Sequence, residues 1–158
     1  MKTNLLRSLL VLGLVLAATL VPFQANAAQC STASTAGNWA YTYSGTIFTA
    51  NGPLPAASVG QFHQDLSGNI TGSQTRSVAG QSAPEDISGT NSVSGDCTSS
   101  FTINVFVNGQ LLRTAQLAAV YDTSGNHVRA IFQSLTLPDG TNVPVVITID
   151  GNRVTSRP

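Results

Sequence analysis

Residues 98–121, with the sequence TSSFTINVFVNGQLLRTAQLAAVY, carry the pattern that decides the fold. Two runs rich in Val, Phe, Leu and Thr, Thr98–Val107 and Leu111–Tyr121, flank the pair Asn108-Gly109. Apolar and polar residues alternate in the first run, which is typical of a strand with one buried face. Asn-Gly readily adopts the positive φ angles of a two-residue hairpin turn. The stretch therefore predicts two antiparallel strands joined by a tight turn.

The same combination of a strand-like run and a turn recurs along the rest of the chain. The runs are enriched in β-branched and aromatic residues, end at Gly, Asn or Asp, and show no convincing helical period. Because the connections are short, successive strands are expected to pair antiparallel as hairpins. The six other main runs and a ninth, short candidate are Trp39–Thr49, Ala57–Leu66, Ile70–Ala79, Asp86–Ser94, His127–Leu137, Asn142–Asp150 and Arg153–Ser156.

About eight such strands can close on themselves, which removes the exposed edges that invite aggregation. The sequence therefore predicts an all-β protein built as a single antiparallel up-and-down barrel. A two-sheet β-sandwich is the alternative, because turn spacing does not distinguish the two architectures.

The first 27 residues have the pattern of a cleavable export signal. Two basic residues precede a continuous apolar run, Leu9–Val21, and Ala25-Asn26-Ala27 offers the small-x-small cleavage pattern. The apolar run is shorter than the ~18 residues that a membrane-spanning helix needs. We therefore expect residues 28–158 to form one exported domain, periplasmic or extracellular, with no membrane span in the mature chain.

Charge is sparse in the predicted mature chain. Charged residues make up 9% of the sequence, and after residue 27 there are five arginines, seven acidic residues and no lysine. A nucleic-acid interface needs a basic patch, which five scattered arginines do not provide. The composition therefore argues against nucleic acid as a partner.

The two cysteines, Cys30 and Cys97, are predicted to form a disulfide. An even pair of cysteines in a small exported domain usually pairs in an oxidising compartment. Closing so long a loop can contribute about 4 kcal/mol through the entropy of the unfolded chain. A nucleophilic cysteine or a metal thiolate is the alternative, but no CxxC or Cys/His ligand spacing supports it.

Three segments resemble a group of small exported bacterial β-barrel proteins. They are GNWAY at 37–41, VGQFHQDLSGNITG at 59–72 and ISGTNSVSGDCT at 87–98, and the resemblance covers Cys30 to about Arg153. The group has a calycin-like, or lipocalin-like, appearance. The resemblance implies a calycin-like barrel and points to no particular chemistry.

The element Gly37-x-Trp39 also resembles the lipocalin signature. In that family a tryptophan plugs the closed end of the barrel beneath an arginine from near the last strand, and the resemblance implies this structural role for Trp39, with Arg153 as partner. The second lipocalin element, T-D-Y, is absent from this chain. The alternative is that Trp39 simply packs in the core.

No catalytic constellation is recognised in the sequence. His63 and His127 are the only histidines, and a hydrolytic or zinc site needs three or more convergent groups. Asp65 is interpreted as a turn residue that caps backbone N–H groups, and Glu85-Asp86 as a solvated acidic turn after a proline. We therefore predict no catalytic residues, no metal site and no cofactor. An enzyme remains as a third alternative, and it would need a histidine in a concave pocket beside acidic groups.

The leading functional hypothesis is a barrel that binds a small apolar or amphipathic molecule in its mouth. An eight-stranded barrel is just wide enough to hold one such ligand or to be filled by its own side chains. The alternative is a filled barrel that acts as a structural or interaction protein of the cell envelope. The sequence does not identify the ligand-binding residues or the oligomeric state.

Overall fold

Eight antiparallel strands joined by short turns make up the part of the chain, residues 30–154, that the computed structural model describes. Each strand pairs with the next along the chain, and β1 also pairs with β8, so the sheet closes into an up-and-down barrel. The predicted barrel is confirmed, and the two-sheet alternative is wrong. The strands are β1 Gly37–Thr49, β2 Gly52–Gln64, β3 Asn69–Val78, β4 Gln81–Val93, β5 Thr98–Val107, β6 Gln110–Tyr121, β7 His127–Thr136 and β8 Val145–Arg153.

The predicted turn between β5 and β6 is present. Asn108 and Gly109 both have positive φ angles, 52° and 76°, as a two-residue hairpin turn of this type requires. Ala79 and Gly80 adopt the same geometry between β3 and β4, with φ angles of 48° and 85°. Alanine is rare in this conformation because its Cβ crowds the backbone, so the turn at 79–80 is less evident from the residue types.

Strand β2 begins at Gly52, earlier than the predicted Ala57, and includes Pro53 and Pro55. Proline cannot donate a backbone hydrogen bond and is confined to strand edges. Both prolines pair with β1, whereas the ladder to β3 ends at Ala56 and is followed only by a hydrogen bond from Ala79 N to the carbonyl of Pro55. The overhang explains how a strand can begin with two prolines.

Strand β4 begins at Gln81, earlier than the predicted Asp86, because it pairs with β3 as far as the turn at 79–80. The ninth candidate run is not a separate strand in the described chain, since Arg153 ends β8 and residues 155–156 lie outside the described residues. The predicted export signal, 1–27, also lies outside them. No helix within 30–154 is long and apolar enough to cross a membrane.

The barrel has two distinct ends. At the disulfide end, the turns after β2, β4 and β6 meet residues 30–36, which lie across the opening. At the hairpin end lie the tight turns after β1, β3 and β5 and the longer connection 137–144. Alternate residues of each strand point inward. The pairing of β6 with β7 is irregular near Leu117, where β7 contains one extra residue. Phe132 and Leu135 therefore both point inward, although they are three positions apart. The two ends enclose different polar clusters.

Candidate ligand-binding site

A cavity of about 70 Å³ lies inside the barrel. Its wall is mainly apolar, and small side chains such as Ala115 and Ala130 leave the space that larger ones would fill. Aromatic and branched side chains from β2, β5, β7 and β8 supply much of the remaining wall, among them Phe62, Phe101, Ile103, Phe132 and Ile149.

Four polar side chains also line the cavity: Tyr41, Tyr43, Gln74 and Arg113. The hydroxyl of Tyr41 donates to Gln74 Oε1 at 2.8 Å, and Ser58 Oγ donates to the same oxygen at 3.0 Å. Burial raises the pKa of both tyrosines, to about 12 for Tyr43, so both hydroxyls stay protonated and able to donate at neutral pH. The cavity therefore combines an apolar wall with a few hydrogen-bonding groups.

A buried carboxylate, Glu85, organises the polar side of the cavity. Arg113 binds it through two hydrogen bonds, Nη1 to Oε1 at 2.9 Å and Nη2 to Oε2 at 2.5 Å. Arg76 Nε donates to Oε1 at 2.9 Å, and Gln74 Nε2 donates to Oε2 at 2.7 Å. Burial by itself would raise the pKa of Glu85, but the hydrogen bonds and charge of Arg113 outweigh it and hold the pKa below its usual value. Glu85 is therefore ionised at neutral pH.

The charge of this cluster does not balance. Two guanidinium groups face one carboxylate, which leaves one positive charge in excess. The terminal nitrogens of Arg76 donate to no described residue, and its side chain is 24% exposed. Tyr43 is 7% exposed, and no described residue accepts the proton of its hydroxyl. Unused donors and an excess cation therefore lie on one side of the cavity.

The prediction for Glu85 was wrong. It was interpreted as part of a solvated turn, and it is instead a buried residue of β4 that points into the barrel. Pro84 suggested a loop, but the described β4 tolerates it near its start. Glu85 has the same inward alternation as Ile87 and Asn91, so extending that alternation by one step would have found it.

Arg113, which was not predicted as a site residue, is a second member of the cluster. It lies in β6 on the same face as Ala115 and Leu117, both buried apolar residues. A charged residue on the apolar face of a strand is rare because burying an unpaired charge is costly. That alternation was the available signal for a buried charge pair.

The predicted disulfide between Cys30 and Cys97 is present, with the two Cα atoms 5.0 Å apart. It fixes residues 30–36 across the disulfide end. There the carbonyl of Thr35 accepts a hydrogen bond from Trp39 Nε1 at 3.0 Å, and Gln64 Nε2 donates to the carbonyl of Thr32 at 3.1 Å. The N-terminal segment therefore supplies hydrogen-bond acceptors to buried side chains of β1 and β2.

A neutral polar network fills the interior behind this segment. Gln64 is fully buried, donates to Thr35 Oγ1 at 2.9 Å and accepts from Asn91 Nδ2 at 2.9 Å. Asn91 Nδ2 also donates to Tyr121 Oη at 2.9 Å, and Asn91 Oδ1 accepts from Ser99 Oγ. Every amide group in the network has a partner, and none of its members is charged.

Trp39 is fully buried at the disulfide end. The guanidinium carbon of Arg153 lies 5.5 Å from the centre of its ring, and Arg153 Nη2 donates to the carbonyl of Ser34 at 2.6 Å. The distance is within the range of a cation–π contact. The lipocalin-like role suggested for this pair stays a prediction, because the geometry shows a packed contact and not a family relationship.

Both histidines lie on the outer face of the barrel. His63 Nδ1 is 3.0 Å from Asn38 Oδ1, and His127 Nε2 is 2.9 Å from Asp150 Oδ2. The turn role of Asp65 is confirmed, because its Oδ1 accepts from the backbone nitrogens of residues 67 and 69. Within residues 30–154, no group of three or more His, Cys, Asp or Glu side chains is placed to hold a metal ion.

Solved structures that are similar to this chain include two bound to DFHBI. One is a redesigned beta barrel, mFAP1, bound to DFHBI, with 22% identity, a TM-score of 0.49, and coverage of 77% of this chain and 97% of that one. The other is EF1p2_mFAP2b bound to DFHBI, with 16% identity, a TM-score of 0.50, and coverage of 77% and 94%. No protein-family model and no curated protein matches the chain. At this level of identity, the likeness concerns the barrel fold alone.

Proposed function

We propose that this protein is an exported β-barrel that binds a small apolar or amphipathic molecule in its interior. The observation that carries the proposal is the cavity of about 70 Å³, with its apolar wall and its polar side chains gathered on one side. Ligand sites commonly combine a largely apolar lining with a few placed polar groups. The similar barrel EF1p2_mFAP2b, bound to the dye DFHBI, offers a precedent for a small ligand on a related fold.

The exported location is part of the proposal. It is supported by the disulfide, which is typical of oxidising compartments, and by the signal-like pattern of residues 1–27. The calycin-like relationship is proposed on the resemblance of the sequence segments. Protein recovered from the periplasm or medium should begin near Ala28.

Filling the cavity tests the binding proposal. Ala130→Leu adds a larger side chain to the cavity wall, whereas Ala40→Leu makes the same change on the outer face of β1. We expect butyrate or 1-butanol, titrated to millimolar concentrations, to shift the NMR signals of cavity-lining methyl groups in the wild type. Ala130→Leu should weaken this binding at least tenfold, and Ala40→Leu should leave it unchanged. If neither compound shifts those signals in the wild type, the proposal is wrong.

One observation favours the second candidate, a filled barrel that interacts through its outer surface. The cavity has about half the volume of the ~150 Å³ engineered cavity that binds benzene. A filled barrel would show no binding of either small compound. In a pull-down from envelope fractions, the protein would instead recover a partner. Substitutions of its exposed side chains would reduce the amount of partner recovered.

A further inference from the structure

We infer that the ligand of this barrel carries a carboxylate, held beside Glu85 by Arg76, Arg113 and the hydroxyl of Tyr43. The inference rests on the proposed function, because it names the chemical class of the molecule that would occupy the cavity. It is carried by the charge balance and the unused hydrogen-bond donors around Glu85.

Glu85 is already saturated with donors. Its two oxygens accept four hydrogen bonds, three of them from Arg76 and Arg113. The carboxylate therefore offers no further strong acceptor, and it neutralises only one of the two guanidinium charges. A partly buried cation without its own counter-ion is unfavourable, and one additional anion would remove that cost.

The excess charge lies close to the cavity. Arg113 lines the cavity directly, and Arg76 donates to the same oxygen of Glu85 that Arg113 Nη1 contacts. Tyr43 also lines the cavity, is more than nine-tenths buried, and has a hydroxyl proton that no described residue accepts. The charges of Arg113 and Arg76 both act on that hydroxyl, since both oppose the effect of burial on its pKa. Arg113 and Tyr43 thus lie at the cavity wall, and Arg76 adjoins them through its contact with Glu85.

These donors suit a carboxylate. Its two oxygens can accept from a guanidinium edge and a tyrosine hydroxyl together, and such charge-assisted hydrogen bonds are among the strong ones. A single negative charge balances the single excess positive charge, whereas a phosphate dianion would leave the cluster negative. The small apolar volume admits only a short hydrocarbon part.

A matched pair of probes tests the charge requirement. Butyrate and 1-butanol each contain four carbon atoms, and they differ in that only butyrate carries a charged head group. We expect the wild-type protein, with its disulfide intact, to bind butyrate at least about tenfold more tightly than 1-butanol in NMR titrations, since hydrogen bonds to charged groups contribute this much or more. Arg76→Gln should abolish the preference. Arg129→Gln, which removes an exposed arginine from the outer face, should retain it.

Tyr43→Phe provides a second variant that keeps every charge. It should weaken butyrate binding several-fold and leave 1-butanol binding unchanged, so the test survives if Arg76→Gln fails to fold. Equal binding of the two probes to the wild type would overturn the carboxylate inference and leave the proposed function standing. Binding of neither probe would overturn both. An equal loss of preference in Arg76→Gln and Arg129→Gln would show an effect of net charge only, and would overturn the inference.

Discussion

The two buried polar clusters of this barrel follow opposite rules. At the disulfide end, Gln64, Asn91 and Tyr121 form a neutral network in which every amide group is paired. Beside the cavity, Glu85 and Arg113 form a charged cluster that carries an excess cation and unused donors. A satisfied neutral network specifies one packing arrangement at little cost, whereas buried charges cost desolvation energy. Only the charged cluster therefore combines a desolvation cost with unused hydrogen-bond donors.

The disulfide end has the features of a structural closure. Residues 30–36 are tied down by Cys30, and their backbone carbonyls satisfy the indole of Trp39 and the amide of Gln64. Apart from Arg153 Nε, which is buried without a partner among the described residues, the polar groups named at this end are paired, and complete pairing rigidifies a core. The cavity side differs, because it holds a charged cluster whose groups have shifted pKa values, an arrangement often found at functional positions.

The largest expected effect comes from breaking the charged cluster. Arg113→Met removes the bidentate partner of Glu85, and we expect the free energy of unfolding to fall by about 3 kcal/mol. This is the low end of the range for a broken buried pair, because Arg76 and Gln74 still donate to the carboxylate. Urea unfolding followed by circular dichroism measures the change.

Two controls define that result. Arg129→Met removes an arginine side chain that is 79% exposed, and should change stability by no more than about 0.5 kcal/mol. The double variant Glu85→Gln with Arg113→Met should recover part of the loss, because the buried group that has lost its bidentate partner is then neutral. A single variant as stable as the wild type would contradict the view that this pair is energetically coupled.

A smaller effect is expected at the neutral network. Gln64→Leu removes the donor to Thr32 and Thr35 and one acceptor of Asn91, and should cost about 2 kcal/mol through unsatisfied polar groups. Gln61→Leu makes the same substitution at an exposed position of the same strand and should be nearly neutral. Thermal and urea unfolding compare the two. If Gln64→Leu costs more than Arg113→Met, the ranking of the two clusters is reversed.

The smallest expected effect is a difference between the two clusters in how their contribution to stability depends on pH. The pKa of Glu85 is lower in the folded protein than in the unfolded chain, so its contribution is present above about pH 4.3, the unfolded value, and is lost as pH falls through the folded value. The stability gap between wild type and Glu85→Gln should therefore narrow below about pH 4. Exposed turn aspartates such as Asp65, whose pKa is also lowered by hydrogen bonds, should destabilise both proteins alike in acid. A gap that stays constant down to about pH 2 would contradict this assignment.

The sequence predicted the barrel because its signals are local. The Asn108-Gly109 turn and the alternation in β5 are visible within one hairpin, and both are confirmed. The disulfide was predicted because the chain has one pair of cysteines after a segment with the pattern of an export signal. Ala79-Gly80 was less visible, since alanine seldom occupies a left-handed turn position.

The candidate site was missed because its members meet only when the barrel closes. Glu85 and Arg113 are 28 positions apart, and the alternation that turns each of them inward does not show that they meet. Their contact depends on the register of two non-adjacent strands, β4 and β6, on either side of β5. Local patterns predict which face a residue takes, but not which partner it meets across the interior.

Closure between β1 and β8 has a consequence for how this chain is made. Trp39 pairs with Arg153 and Ile47 with Val145, so the first strand gains its second neighbour only from the last. Contacts between residues so distant in the chain form late, because the entropy of a long loop must be lost before the contacts contribute any stability. The polypeptide cannot complete its sheet before β8, near the end of the chain, has been synthesised.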